Sequence, residues 1–163
     1  MILATKIRLL PTKEQETQLK KSAGTKRWVW NWALDKQIKH MKETGKLTPI
    51  NQNVLRKELT KLKQTEGYEW LYDVSNNIAK QCIKDLDQAF NKFHDESKKN
   101  GYKHRKSAIK RAARGGEPLD FTDYKYFPEF KAKKKCQEGF YNDTSKLKVY
   151  KDFIHPEFRK ILA

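Results

Sequence analysis

Three of the chain's four tryptophans fall within five residues, in the run Arg27-Trp28-Val29-Trp30-Asn31-Trp32-Ala33-Leu34, and their spacing limits what the segment can become. Alternation at 28, 30 and 32 would fit a strand. Leu34, Ile38 and Met41, however, continue from Trp30 at steps of four, four and three, which is helical spacing. A helix divides the run into two faces. Trp30, Leu34, Ile38 and Met41 form an apolar stripe suited to a core, while Trp28 and Trp32 lie opposite and lead into Lys36, Lys39 and His40. Rings running into positive charge offer π-faces to bases and cations to phosphates. The competing reading is a second layer of protein over Trp28 and Trp32, and for a tryptophan pair alone it is the stronger one.

Composition shifts the balance toward a polyanion. The 163 residues carry 36 Lys plus Arg against 20 Asp plus Glu, a net charge of +16, and phosphate neutralisation is the interaction such a field favours. A membrane is the weaker candidate, because Lys6 and Arg8 interrupt the apolar start and leave neither a signal peptide nor a spanning segment. A cytoplasmic, nucleoid-associated protein is expected. Cys82 and Cys136 are too few and too unrelated in setting for a disulfide framework or a paired-cysteine metal site.

Along the chain, Ile2 to Leu10 alternates apolar residues with Ala4, Lys6 and Arg8, which predicts a strand with one basic face ended by Pro11. Thr12 and Gln15 form a capping box for a short helix that Gly24 is expected to close. Thr25 then caps the tryptophan helix, which runs to about Gly45. A further helix follows Pro49 with Val54, Leu55, Leu59 and Leu62, and Gly67 stops it before Trp70-Leu71. The clearest helix follows Ser75, where Ile78, Cys82, Ile83, Leu86, Ala89, Phe90 and Phe93 keep steps of three and four. From Lys98 to Arg114 there is no acidic residue, so this stretch alone would be disordered or a frayed helix. Beyond Gly115-Gly116 come Phe121, Tyr124, Tyr126, Phe127 and Phe130 in a pattern of loops and short strands, then strand-like Phe140-Tyr141, Leu147-Val149 and Phe153-Ile154. A lone first strand cannot satisfy its backbone, and its available partners are at the far end. The helices are therefore read as an insertion into a split β unit, an α+β fold.

Two further segments repeat the aromatic-plus-basic chemistry. Phe130 is followed by Lys131, Lys133, Lys134 and Lys135, a row of cations that fits a phosphate backbone, with a solvated charge run as the alternative. On the Ser75 helix, Asn77, Lys80, Gln81, Lys84 and Gln88 share a polar side whose amides suit adenine and whose lysines suit phosphate or guanine, although a plain solvent face would look much the same. Catalytic chemistry is not in evidence. His40, His94, His104 and His155 lack metal-ligand spacing, Asp85 and Asp87 fall on different helical faces, and no phosphate loop or nucleophile motif occurs.

The order of strand, capped helix, Arg27-Trp28-Val29-Trp30-Asn31-Trp32-Ala33-Leu34, then Leu86-Asp87-Gln88-Ala89-Phe90-Asn91-Lys92-Phe93, then Phe127-Pro128-Glu129-Phe130-Lys131-Ala132-Lys133-Lys134 resembles the N-terminal part of the TnpB family. These are the OrfB-type transposases of insertion sequences, RNA-guided DNA endonucleases related to the compact type V CRISPR effectors. The resemblance covers nearly the whole chain. It implies a wedge-type β-barrel, incomplete here, split by a helical recognition lobe: first strand 1–10, lobe 11–100, basic linker 101–118 and returning barrel strands 119–163. It also implies that this portion grips guide RNA and reads DNA flanking the target, with Asn77, Lys80 and Gln81 where that reading is expected and Phe130 to Lys135 where the barrel meets RNA. Family members carry a RuvC-like nuclease domain and a zinc ribbon beyond the barrel, and this chain ends at Ala163 before them. The expectation is a fragment, a truncated frame or a shortened descendant that binds without a nuclease centre or cofactor of its own. A separate nuclease half is a further partner in the first case.

The expected nucleic-acid contacts are Lys6, Arg8, Arg27, Trp28, Trp32, Lys36, Asn77, Lys80, Gln81, Lys84, Lys103, Arg105, Lys106, Lys110, Arg111, Arg114, Phe130, Lys131, Lys133, Lys134 and Lys135. Two other readings compete. The helix from Thr12, a turn at Gly24 and the tryptophan helix would imitate a helix-turn-helix, suited to a small transposon-derived repressor, though Arg27 and Trp28 are poor groove-entering residues. Charge alone would also suit a protein that binds an acidic partner.

Overall fold

The computed structural model describes residues 10–134 and 139–141 together with the backbone of 147–149 and 154–156. Its first element is a helix of 32 residues, α1 (Lys13–Thr44), longer than the sequence pattern predicts. The predicted capping box forms at its start: the Thr12 hydroxyl accepts from the Gln15 amide at 3.3 Å, and the Gln15 side chain accepts from the Thr12 amide at 3.0 Å. Gly45, at φ 65°, ends it in the left-handed conformation that glycine adopts most readily. The break expected at Gly24 is absent. Thr25 does not cap a second helix; its hydroxyl donates back to the Lys21 carbonyl one turn earlier, at 3.0 Å. A glycine inside a helix costs about 1 kcal/mol. The buried series Ser22, Thr25, Val29, Ala33 and Gln37 passes across Gly24 without a break, so packing overrides that cost.

Helix α2 (Gln52–Leu62) is capped by Asn51, whose side chain accepts from the Asn53 amide at 2.8 Å, and it buries Leu55 and Leu59. A single turn at Glu69–Tyr72 inserts Leu71 into the core before α3 (Asn76–Asn100). The apolar spacing of α3 is the one read from sequence. Ile78, Cys82, Ile83, Leu86, Phe90 and Phe93 are all buried, and α3 packs against both α1 and α2. Lys98 to Arg114 is more ordered than its charge suggests: α3 continues to Asn100 and α4 (Lys106–Ala113) follows, with Ala108 buried.

The expected barrel is the main correction. Among the described residues the fold is a helical bundle, and its ladder is one antiparallel hairpin, β1 (Leu147–Val149) with β2 (Ile154–Pro156), in register Leu147 to Pro156. Two three-residue strands cannot close a barrel. The α+β reading of a helical lobe inserted into a split wedge barrel is therefore not upheld. The predicted first strand lies outside the described residues except for exposed, non-helical Leu10. Residues 119–134, read as loops and short strands, contain a helical turn at Phe121–Asp123, a single antiparallel bridge between Tyr124 and His104 with backbone hydrogen bonds from Arg105 to Asp123 and from Lys125 to Lys103, and then extended backbone whose carbonyls at Phe127, Glu129 and Lys131 side chains satisfy. Phe127 anchors this segment, its ring edge-on to Phe90 at 5.5 Å and to Phe93 at 5.3 Å.

Candidate nucleic-acid interface

The tryptophan run is first of all a dock for the extended segment. The Trp30 indole donates to the Glu129 carbonyl at 2.9 Å, and the Asn31 side chain grips both backbone groups of Lys131, donating to its carbonyl at 3.1 Å and accepting from its amide at 2.8 Å. The Lys131 ammonium then rests 3.7 Å from the centre of the Trp30 ring, close enough for a strong cation–π contact. Trp30 is buried, as its stripe predicts, and Val29, Ala33 and Gln37 widen the buried face beyond that stripe.

Trp28 and Trp32 are half-buried, and a second layer of aromatic side chains lies against Trp28. Their rings stack at 6.3 Å, and Trp28 meets Tyr68 at 5.8 Å and Trp70 edge-on at 5.2 Å. Beside this cluster opens a cleft of about 460 Å³, lined by Lys21, Arg27, Trp28, Asn31, Trp70 and Asp73 among others. Sequence spacing brought Arg27 and Trp28 together; the contribution of Trp70 and Asp73 from a distant turn carried no local signal.

The remaining expected contacts separate by their partners. Lys36 pairs with Glu58 at 3.4 Å, Arg111 with Asp123 at 2.8 Å, and Arg105 with Glu129 at 2.8 Å while also donating to the Phe127 carbonyl. Those three cations are already engaged by carboxylates within the fold. Lys80, Lys84, Lys103, Lys106, Lys110, Arg114, Lys133 and Lys134 are exposed and have no carboxylate partner among the described residues. Gln81 donates to Asp85 at 2.8 Å, Asn77 is half-buried at the start of α3, and Phe130 is exposed. Lys6, Arg8 and Lys135 lie outside the described residues.

Two basic residues escaped the sequence reading. Lys63 is buried at the end of α2, with its ammonium donating to the Asn76 side chain at 3.0 Å, and burial together with nearby Lys80 pulls its pKa below the usual lysine value. Arg56 shares that groove and donates to the Lys80 carbonyl at 3.3 Å. Nothing local distinguishes these two from neighbouring surface lysines in sequence. Cys82 is no nucleophile: burial pushes its thiol up to about 12, and it donates to the Lys26 carbonyl. Among the described residues no three His, Cys, Asp or Glu side chains come together as metal ligands, and no helix is long and apolar enough to cross a membrane.

Residues 1–46 match the family model of a helix-turn-helix domain of the OrfB type. Within that span the described backbone is the single helix α1. InsQ of Escherichia coli (strain K12), named as an RNA-guided DNA endonuclease, is 30% identical over 90 residues, which are 55% of this chain and 22% of that relative. The chain thus spans about a fifth of the relative it matches. The helix-turn-helix match at the start and the similarity to InsQ agree with the order of motifs described above: the chain carries a TnpB-type N-terminal part.

Proposed function

We propose that the chain binds nucleic acid as the recognition portion of a TnpB-type, RNA-guided nuclease, contacting guide RNA and target-flanking DNA in the cytoplasm. One observation carries the reading most directly. A set of exposed cations, Lys80 and Lys84 on α3 and Lys103, Lys106, Lys110 and Arg114 on and around α4, has no carboxylate partner among the described residues of a chain with net charge +16. Cations already paired with carboxylates release few counterions on meeting phosphate, whereas unpaired ones release about 0.9 per duplex contact and about 0.7 per single-strand contact. The name of InsQ supplies the class of ligand, RNA together with DNA. Asn77 and Lys80, adjacent on the start of α3, are the proposed readers of flanking DNA.

Titration of the full chain with RNA and with duplex DNA over a range of salt concentrations tests the reading. Converting Lys103, Lys106, Lys110 and Arg114 together to Gln should make the log–log salt dependence shallower by roughly three to four units. An unchanged slope would remove these residues from the interface. The helix-turn-helix match favours a second reading, a free-standing DNA-binding protein. Tight, sequence-specific binding to duplex DNA in the absence of RNA would select it. Against it stands α1, which runs through Gly24 without the turn that would set off a recognition helix.

A further inference from the structure

The cleft beside Trp28 holds the groups that a single base requires. Its volume of about 460 Å³ falls within the usual range of small-ligand sites. Two indoles wall it, Trp28 and Trp70, with ring planes at 84°, and Trp70 remains 38% exposed despite its size. Arg27 lines the cleft without an ion pair among the described residues. Opposite in charge, Asp73 presents a half-exposed carboxylate held in a loose ion pair with the exposed Lys21 at 3.6 Å, too long for a hydrogen bond, so its oxygens keep room for further N–H donors. The Asp73 backbone is fixed in place, because its carbonyl accepts from the Gln18 side chain at 2.7 Å. A carboxylate lining the same cleft as two indoles repels phosphate and invites N–H donors.

We propose that this cleft receives one unstacked guanine of a single-stranded nucleic acid, its ring against the Trp28 and Trp70 indoles, its N1–H and N2–H edge on the Asp73 carboxylate and its phosphate on Arg27. The assignment rests on the nucleic-acid reading above and adds the base. Single-stranded recognition generally combines an aromatic platform with hydrogen bonds to an exposed pairing edge. Guanine alone among the four bases places two neighbouring N–H donors on that edge. Adenine, cytosine and uracil each set at least one acceptor against a carboxylate, which has only acceptors to offer.

Tryptophan fluorescence of the full chain, titrated with short uridine tracts bearing one central guanosine, adenosine, cytidine or inosine, tests this. The guanosine tract should quench and bind about tenfold or more tightly than the others. Inosine, which lacks the N2 amine, should lose most of that advantage. Asp73→Asn should erase the guanosine preference while leaving binding to the plain uridine tract, and Trp70→Ala should weaken the guanosine tract about fivefold or more. Thermal unfolding of both variants separates these effects from loss of fold, and the inosine comparison needs no variant. Equal, salt-dependent affinity for all tracts overturns the guanine assignment and leaves the nucleic-acid reading standing. Failure to bind any tract, RNA or duplex overturns both.

Discussion

Asn31 is the residue on which the two most recognisable motifs of the sequence depend. Its amide closes two hydrogen bonds on the backbone of Lys131, 100 residues away in the chain. Asn31→Ala would leave a half-buried carbonyl and amide without partners, at a cost of about 1–2 kcal/mol. Denaturant unfolding should register that loss, and hydrogen exchange should show faster exchange at the Lys131 amide. Asp123 is a second such residue, with a pH signature. Burial disfavours its charge, but the Asp120 amide and the Arg111 guanidinium outweigh burial and hold its carboxyl below the usual range. A depressed folded-state value contributes stability that is complete above the unfolded value, near pH 4, and lost as pH falls through the folded one. Asp123→Asn should therefore lower stability at neutral pH and flatten its decline in acid, measurable as unfolding midpoints between about pH 5 and about pH 2.

At the scale of elements, Gly24 tests whether α1 is one helix or two. A methyl group placed there meets nothing within 4 Å, so Gly24→Ala should stabilise the protein by about 1 kcal/mol if the helix is continuous. Loss of stability would point to a turn that needs glycine. The expectation of a break at this position came from reading Gly24-Thr25 as a stop and a start, and both signals are local. What overrides them is the tertiary burial of Ser22, Thr25 and Val29 on one face, which no window around Gly24 reports. Helix α3 was legible for the opposite reason, since its apolar positions keep one period for about four turns, from Ile78 to Phe93, and its cap and its core agree. The strands expected between 119 and 134 failed for a third reason. An aromatic-rich, proline-punctuated segment looks extended whether its backbone bonds to another strand along its length or, as here, to residues 103–105 at one bridge and beyond it to the side chains of Trp30, Asn31 and Arg105. Of the candidate interface, exposed lysines were legible as charge, but the diversion of Lys36, Arg105 and Arg111 into ion pairs was not, because each carboxylate partner is remote in sequence.

For the whole molecule, a net charge of +16 on 163 residues means that folding gathers like charges together. Self-repulsion of this kind weakens the compact state until counterions screen it. The thermal midpoint should rise as sodium chloride increases from about 0.02 M to about 0.2 M, over which the Debye length falls from roughly 20 Å to below 10 Å. RNA bound as proposed should raise it further at low salt, through linkage of binding to folding. A midpoint that falls with salt would show that the ion pairs among the described residues outweigh the repulsion.

The side chain of Gln37 repeats what Asn31 does, taking both backbone groups of Ile50, at 2.6 Å and 3.0 Å. Two amide grips on one rigid helix bind two separate stretches of chain at fixed angles around its axis. Each residue added or removed between them would rotate one grip by about 100° relative to the other. Positions 31 to 37 are thus closed to changes of length, whatever substitutions they tolerate.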